Sequence, residues 1–153
     1  MRTMTRGVRR FVGGLVALLI VSAAGCDDDG AGVDPDHLEG VWTALEMVAV
    51  NVADTSETED ITALGGTMVV TIEPGGLISV AFSVAGVGDA ESGTYLLDGD
   101  EIEMILDGDP VSGTWALDGN LLTMSLDQGV EWDFGGDGID VPARLDLEFV
   151  RVS

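Results

Sequence analysis

The chain has 153 residues, the length of one ordinary domain with some terminal excess. Its 28 Asp and Glu stand against 6 Lys and Arg, a formal charge of −22. A surface of that sign repels phosphate backbones and anionic lipid headgroups, so a nucleic-acid partner is excluded at the outset. The acids are scattered along the chain, which favours plain solvation in a salty or divalent-rich medium over calcium capture.

The first element is a leader. "MRTMTRGVRR" carries four arginines and no acid, and "FVGGLVALLIVSAA" follows as an apolar run of fourteen residues. A basic start, a short apolar stretch and small residues at its end predict a secretory signal peptide over residues 1–25. The run is too short for a bilayer-spanning helix, which needs roughly 20 apolar residues. Cys26 is the only cysteine, so an internal disulfide is impossible. The stretch "SAAGC" resembles the lipobox of bacterial lipoproteins, with Ala23 where Leu is the usual residue. That resemblance implies cleavage before Cys26, lipid attachment at Cys26, and a partner in the membrane reached through the N-terminal lipid. Each buried CH₂ contributes about 0.8 kcal/mol, so two or more acyl chains make a stable anchor. The expected location is the bacterial cell envelope, in the cell membrane or the outer membrane, facing the periplasm or the cell surface. Asp27 resembles the inner-membrane retention signal of enteric bacteria, but which membrane holds the protein stays open. Without residues 1–25, only Arg144 and Arg151 face the 28 acids, a net charge of about −26.

Residues 26–37, "CDDDGAGVDPDH", read as an acidic flexible tether. The D-x-[DN]-x-[DN]-G spacing of a calcium loop is absent from them. The domain proper is residues 38–153. "GVWTALEMVAV" predicts a first strand at about 40–50. "TMVVTIEPGGLISVAFSV" alternates across Pro74-Gly75-Gly76, placing Met68, Val70, Ile72, Ile78, Val80, Phe82 and Val84 on one face of strands 66–73 and 77–85.

A repeated phrase follows. "GTYLLDGDEIEMILD" (93–107) and "GTWALDGNLLTMSLD" (113–127) agree at eight of fifteen positions. Asp98-Gly99 and Asp118-Gly119 are two-residue hairpin signals and predict strands at 93–97, 101–107, 113–117 and 121–127. With those loops Tyr95 pairs with Ile102, and Tyr95, Leu97, Met104, Trp115, Leu117 and Met124 turn inward. "ARLDLEFVRV" closes the chain as a strand at 143–152, with Leu145, Leu147 and Phe149 inward. No window carries a helix period. Eight strands in a meander can close on themselves and remove their edges, so the expected fold is all-β, a single antiparallel up-and-down barrel. Two long connections, 51–66 and 128–143, interrupt the meander, and the second leaves room for a ninth short strand around Glu131–Phe134.

At this point the chain resembles a bacterial lipocalin-like domain lipoprotein. Gly40-Val41-Trp42 is similar to the G-x-W that opens the first lipocalin strand, and the "GTY" and "GTW" phrases are similar to later hairpins of small lipocalin-like domains. The resemblance implies a lid in the first long loop and a barrel-closing pair, Arg151 stacked over Trp42, worth about 0.5–2 kcal/mol as a cation–π contact. It also implies a ligand-lining wall of Trp42, Met68, Phe82, Tyr95, Met104, Trp115 and Met124. The same residues are what a filled core requires.

Catalytic chemistry was sought residue by residue. His37, the lone histidine, lies on the tether, and Cys26 is expected to be acylated, so neither a nucleophile–base pair nor a His/Cys zinc site is expected. Glu101 and Glu103 fall on the outward face. The expectation is a protein that is not an enzyme, with no cofactor and no metal. Two readings stand: a module that binds a small apolar ligand, or a structural or protein-interaction domain with a filled barrel.

Overall fold

The structure is a computed structural model and describes residues 37–152. The expected signal peptide, Cys26 and nearly all of the expected tether lie outside the described residues. Ten strands run through the described part: β1 (Gly40–Asn51), β2 (Thr58–Asp60), β3 (Thr67–Glu73), β4 (Leu77–Val84), β5 (Val87–Asp98), β6 (Glu101–Leu106), β7 (Asp109–Asp118), β8 (Leu121–Gln128), β9 (Glu131–Trp132) and β10 (Val141–Arg151). Each long strand pairs antiparallel with the next, and β1 pairs with β10. The eight long strands therefore close an antiparallel up-and-down barrel. No helix is present among them.

Direct pairing carries the inward face round the barrel, because paired residues share a side of the sheet. Met68 sits opposite Phe82, Val70 opposite Val80, Tyr95 opposite Met104 and Trp115 opposite Met124. The side chains of Trp42, Ile72, Ile78, Ile102, Leu122 and Phe149 are at most 2% exposed. The interior is a continuous apolar cluster from one end to the other.

One register differs from expectation. Tyr95 pairs with Met104, not Ile102, and Asp98 with Glu101, so the hairpin loop is Gly99-Asp100. The second copy does the same, with Asp118 opposite Leu121 and Gly119-Asn120 in the loop. Positive φ falls on the first loop residue alone (Gly99 63°, Gly119 60°), the pattern of a type II′ turn, which wants Gly first. Both strands slide by one residue, so the inward set is unchanged. Turns with two positive φ angles occur instead at Ala85-Gly86 and Asp107-Gly108.

The repeat has a steric meaning as well. A Cβ on Gly93 would stand 1.7 Å from the Ile105 carbonyl oxygen, and one on Gly113 would stand 2.0 Å from that of Ser125. These glycines hold the same place in the two copies. Only a bare α-carbon lets the neighbouring strand cross that closely.

The barrel has two unlike ends. Turns 74–76, 99–100 and 119–120 lie with the start of β1 and the finish of β10 at the turn end. The turns 85–86 and 107–108 lie with the two long connections at the loop end. There β1 and β10 outrun their neighbours: β3 pairs with Gly40–Thr43 and leaves Val48–Val50 to β2, while β8 pairs with Leu145–Val150 and leaves Val141–Pro142 to β9. The hint of a strand near Glu131 is realised as β9. Strand β2 was not expected.

Candidate functional site

The turn end is closed over by Leu38, Trp42 and Arg151. The Trp42 Nε1 donates to the Leu38 carbonyl at 2.8 Å, and both residues are 0% exposed. The Arg151 guanidinium lies 4.6 Å from the Trp42 ring centroid, and its Nη2 donates to the His37 carbonyl. The inward Leu97 and Leu117 beside the two hairpin turns keep partial exposure at this end.

The loop end is built differently. Inward positions there carry Phe82, Val84, Val111, Leu145 and, from the last connection, Val130, Trp132 and Phe134; all pack on the core but keep partial exposure. The register also turns acids inward. Asp89 pairs with Phe82, Glu91 with Val80 and Asp109 with Leu106, so three carboxylates share the face of the apolar wall. Burial pushes the Glu91 carboxyl above its usual range, and the negative charges of Asp107, Asp89 and Asp109 push it further. The mouth thus sets partly exposed apolar side chains beside three carboxylates.

Two loops fold over that mouth. Ile61 is 0% exposed and its amide donates to the Met47 carbonyl at 2.9 Å, so the first connection plugs the core with its own side chain. Gly66 is required beside it, since a Cβ there would stand 2.6 Å from Ile61. The Trp132 Nε1 of β9 donates to the Glu59 Oε2 of β2, tying the edges of the ribbon β2-β1-β10-β9 together across 73 residues of chain.

The candidate wall residues divide. Trp42, Met68, Tyr95, Met104, Trp115 and Met124 are at most 7% exposed and pack on one another as core. Phe82 alone keeps partial exposure near the loop end. Trp115 Nε1 is buried without a hydrogen-bond partner. Reading the sequence missed Glu91, Asp109, Glu59 and Trp132. Continuing the alternation of β5 and β7 back through 87–92 and 109–112 would have found the first two; nothing local announces the Glu59–Trp132 tie, which joins two loops.

Two open concavities lie on the outer wall. One, of about 700 Å³, runs over β1, β10, β8 and β7 and includes Glu46, Asp146, Glu148, Thr123 and Ser125. Asp146 accepts from the Ser125 hydroxyl at 2.6 Å and from Arg144 at 2.8 Å. Burial raises its pKa, but those two hydrogen bonds and the Arg144 charge outweigh it, and the net shift is downward. With side chains 42% and 39% exposed, the Arg144–Asp146 pair contributes only about 0–1 kcal/mol. The other concavity, of about 410 Å³, lies over β3, β4 and β5. Among the described residues no group of three or more His, Cys, Asp or Glu is disposed to hold a metal ion.

No protein-family model and no curated protein sequence matches the chain. Among solved structures the chain is similar to a variant of the fluorescent protein UnaG, at 11% identity and a TM-score of 0.40, over 78% of this chain and 99% of that one. It is also similar to a fatty acid transporter designated REP1-NXSQ, at 14% identity and a TM-score of 0.39, over 77% of this chain and 98% of that one.

Proposed function

We propose that the protein is a non-catalytic, lipid-anchored barrel of the bacterial envelope that receives a small apolar ligand at its loop end. The observation that supports this is where the partly buried aromatic side chains lie. Phe82, Trp132 and Phe134 all pack on the core at the loop end, beneath two long loops, while the other inward aromatics are buried. Partly exposed apolar and aromatic surface at a barrel mouth is what a small apolar molecule covers. The inward carboxylates Asp89, Glu91 and Asp109 set the charge class: an uncharged or cationic head is favoured and a carboxylate head is repelled. His37 lies at the turn end beside Arg151, far along the barrel from those acids, which supports a binding role over acid–base catalysis.

The test uses the full chain and three fluorescent probes of equal tail length bearing an amine, an alcohol or a carboxylate. Saturable binding of the amine and alcohol probes, at least tenfold tighter than the carboxylate and abolished in Val111→Trp, supports the reading. No saturable binding of any of the three discards it. Mass spectrometry of membrane-fraction protein checks the anchor, with acyl chains on Cys26 expected. A second reading, an interaction domain with a solid core, is favoured by one observation: both concavities described above lie on the outer wall.

A further inference from the structure

The acids of this chain are not spread evenly round the barrel. Outward positions of β1, β10, β8 and β6 carry Glu46, Asp146, Glu148, Asp127, Glu101 and Glu103. Outward positions of β3, β4 and β5 between Thr67 and Leu96 carry no charge, apart from Glu73 at the turn. The pairing shows one neutral row running across five strands, Val150–Thr43–Val69–Ala81–Ala90, and a second, Val41–Thr71–Ser79–Ser92, beside it. In a chain of charge −22, a neutral face of this extent is unusual.

The face also has relief. Its loop-end half is the shallow concavity of about 410 Å³, floored by Val69, Ala81, Ser83, Gly88 and Ala90, with Asp89 also in its lining. Its turn-end half is a ridge, where Leu77, Ile105 and Leu96 stand 47%, 52% and 71% exposed, bordered by Glu73, the partner of Leu77, and Glu103, the partner of Leu96. Leu77, Thr94 and Ile105 are successive partners across β4, β5 and β6. A groove and a ridge side by side on one patch are self-complementary: a two-fold axis through the patch lays the ridge of one copy into the groove of the other.

We propose that this neutral face is a symmetric docking surface for a second copy of the same chain. Charge selects that occupant. The two rows carry no acid at any paired position, so copies that meet across them do not set carboxylate against carboxylate there, whereas a cationic partner is drawn to the acidic flank instead. At about 4.8 Å between strands and 3.3 Å per residue, the patch measures about 20 Å by 20 Å. Two copies then bury about 800 Å² in all, below the roughly 1,200–2,000 Å² of stable interfaces, so the dimer is weak and reversible, with a Kd of about 10–100 μM. Salt distinguishes it from contacts made by the acids, since screening the repulsion between two anionic bodies strengthens association.

Sedimentation equilibrium of the full chain in density-matched detergent, from about 10 μM to 1 mM, tests the proposal. The mass should rise toward that of a dimer, and more steeply in 0.5 M than in 0.15 M NaCl. Ala81→Glu and Ala90→Glu should each hold the protein monomeric. Thr123→Glu, on the acidic flank, should dimerise like the parent. Both alanines and Thr123 are exposed, and an unchanged melting temperature verifies folding; Ser92→Glu replaces either alanine variant that fails this check. A monomer at 1 mM in 0.5 M NaCl overturns the proposal. So does a dimer that weakens with salt, or one that Ala81→Glu leaves intact.

Discussion

The guanidinium carbon of Arg151 rests 4.6 Å from the centroid of the Trp42 ring, and the two residues are directly paired across β1 and β10. The seam that closes the barrel therefore coincides with the cover over its turn end. Removing the guanidinium by Arg151→Ala forfeits the cation–π contact and the donation to the His37 carbonyl. A loss of about 1–2 kcal/mol in urea denaturation is expected, with Arg151→Lys recovering part of it.

Two buried tryptophans separate packing from hydrogen bonding. Trp42 Nε1 has an acceptor and Trp115 Nε1 has none. Changing either to Phe removes similar volume, but only Trp42→Phe leaves a buried carbonyl, that of Leu38, without its donor. Trp115→Phe removes an unsatisfied group. Trp42→Phe should cost at least about 1 kcal/mol more than Trp115→Phe, measured by the same denaturation.

The glycines of the repeat allow a sharper test. Gly93→Ala and Gly113→Ala each drive a methyl group into backbone carbonyl oxygen of the adjacent strand. Each should cost at least about 2 kcal/mol, and thermal melting reads the loss. Gly119→Ala meets nothing within 4 Å but sits at φ 60°, so its cost is strain alone, about 1 kcal/mol.

Glu91 gives a pH signature. Its folded pKa lies above the ordinary value, so the fold binds its proton more tightly than the unfolded chain does. The associated stability is fully present below the unfolded value and is lost as pH rises through the folded one. Glu91→Gln should therefore melt higher than the parent at pH 7 and level with it near pH 3. The gain is small, about 1–3 °C, because solvent screens a partly exposed carboxylate.

The tie between the long loops is testable by exchange. Trp132→Phe keeps the ring and removes the donor to Glu59. Faster amide exchange is expected at the β2 and β9 backbone, with the amides of β3 to β8 unchanged. Equal exchange in parent and variant would show that Ile61 and the strand pairing alone hold the loops.

Alternation in the sequence was enough to specify all-β structure and the inward apolar residues of β3, β4, β6, β8, β10 and the repeat phrases, because a period of two leaves a single way to bury one side of a ribbon; the bulge between Ala44 and Glu46 breaks that period in β1. It also marked Trp42 and Arg151 as a pair, through the lipocalin-like phrases. What it left undecided depends on contacts between distant segments. The one-residue slide of both Asp-Gly hairpins preserves the same buried set, so alternation is blind to it; turn geometry, with positive φ on Gly99 alone, decided it. The Glu59–Trp132 tie, the inward carboxylates at the mouth and the neutral flank facing away from the acids exist only once the barrel has closed. Closure alone brings residues 59 and 132 together and gives each outward side chain its neighbours across the strands.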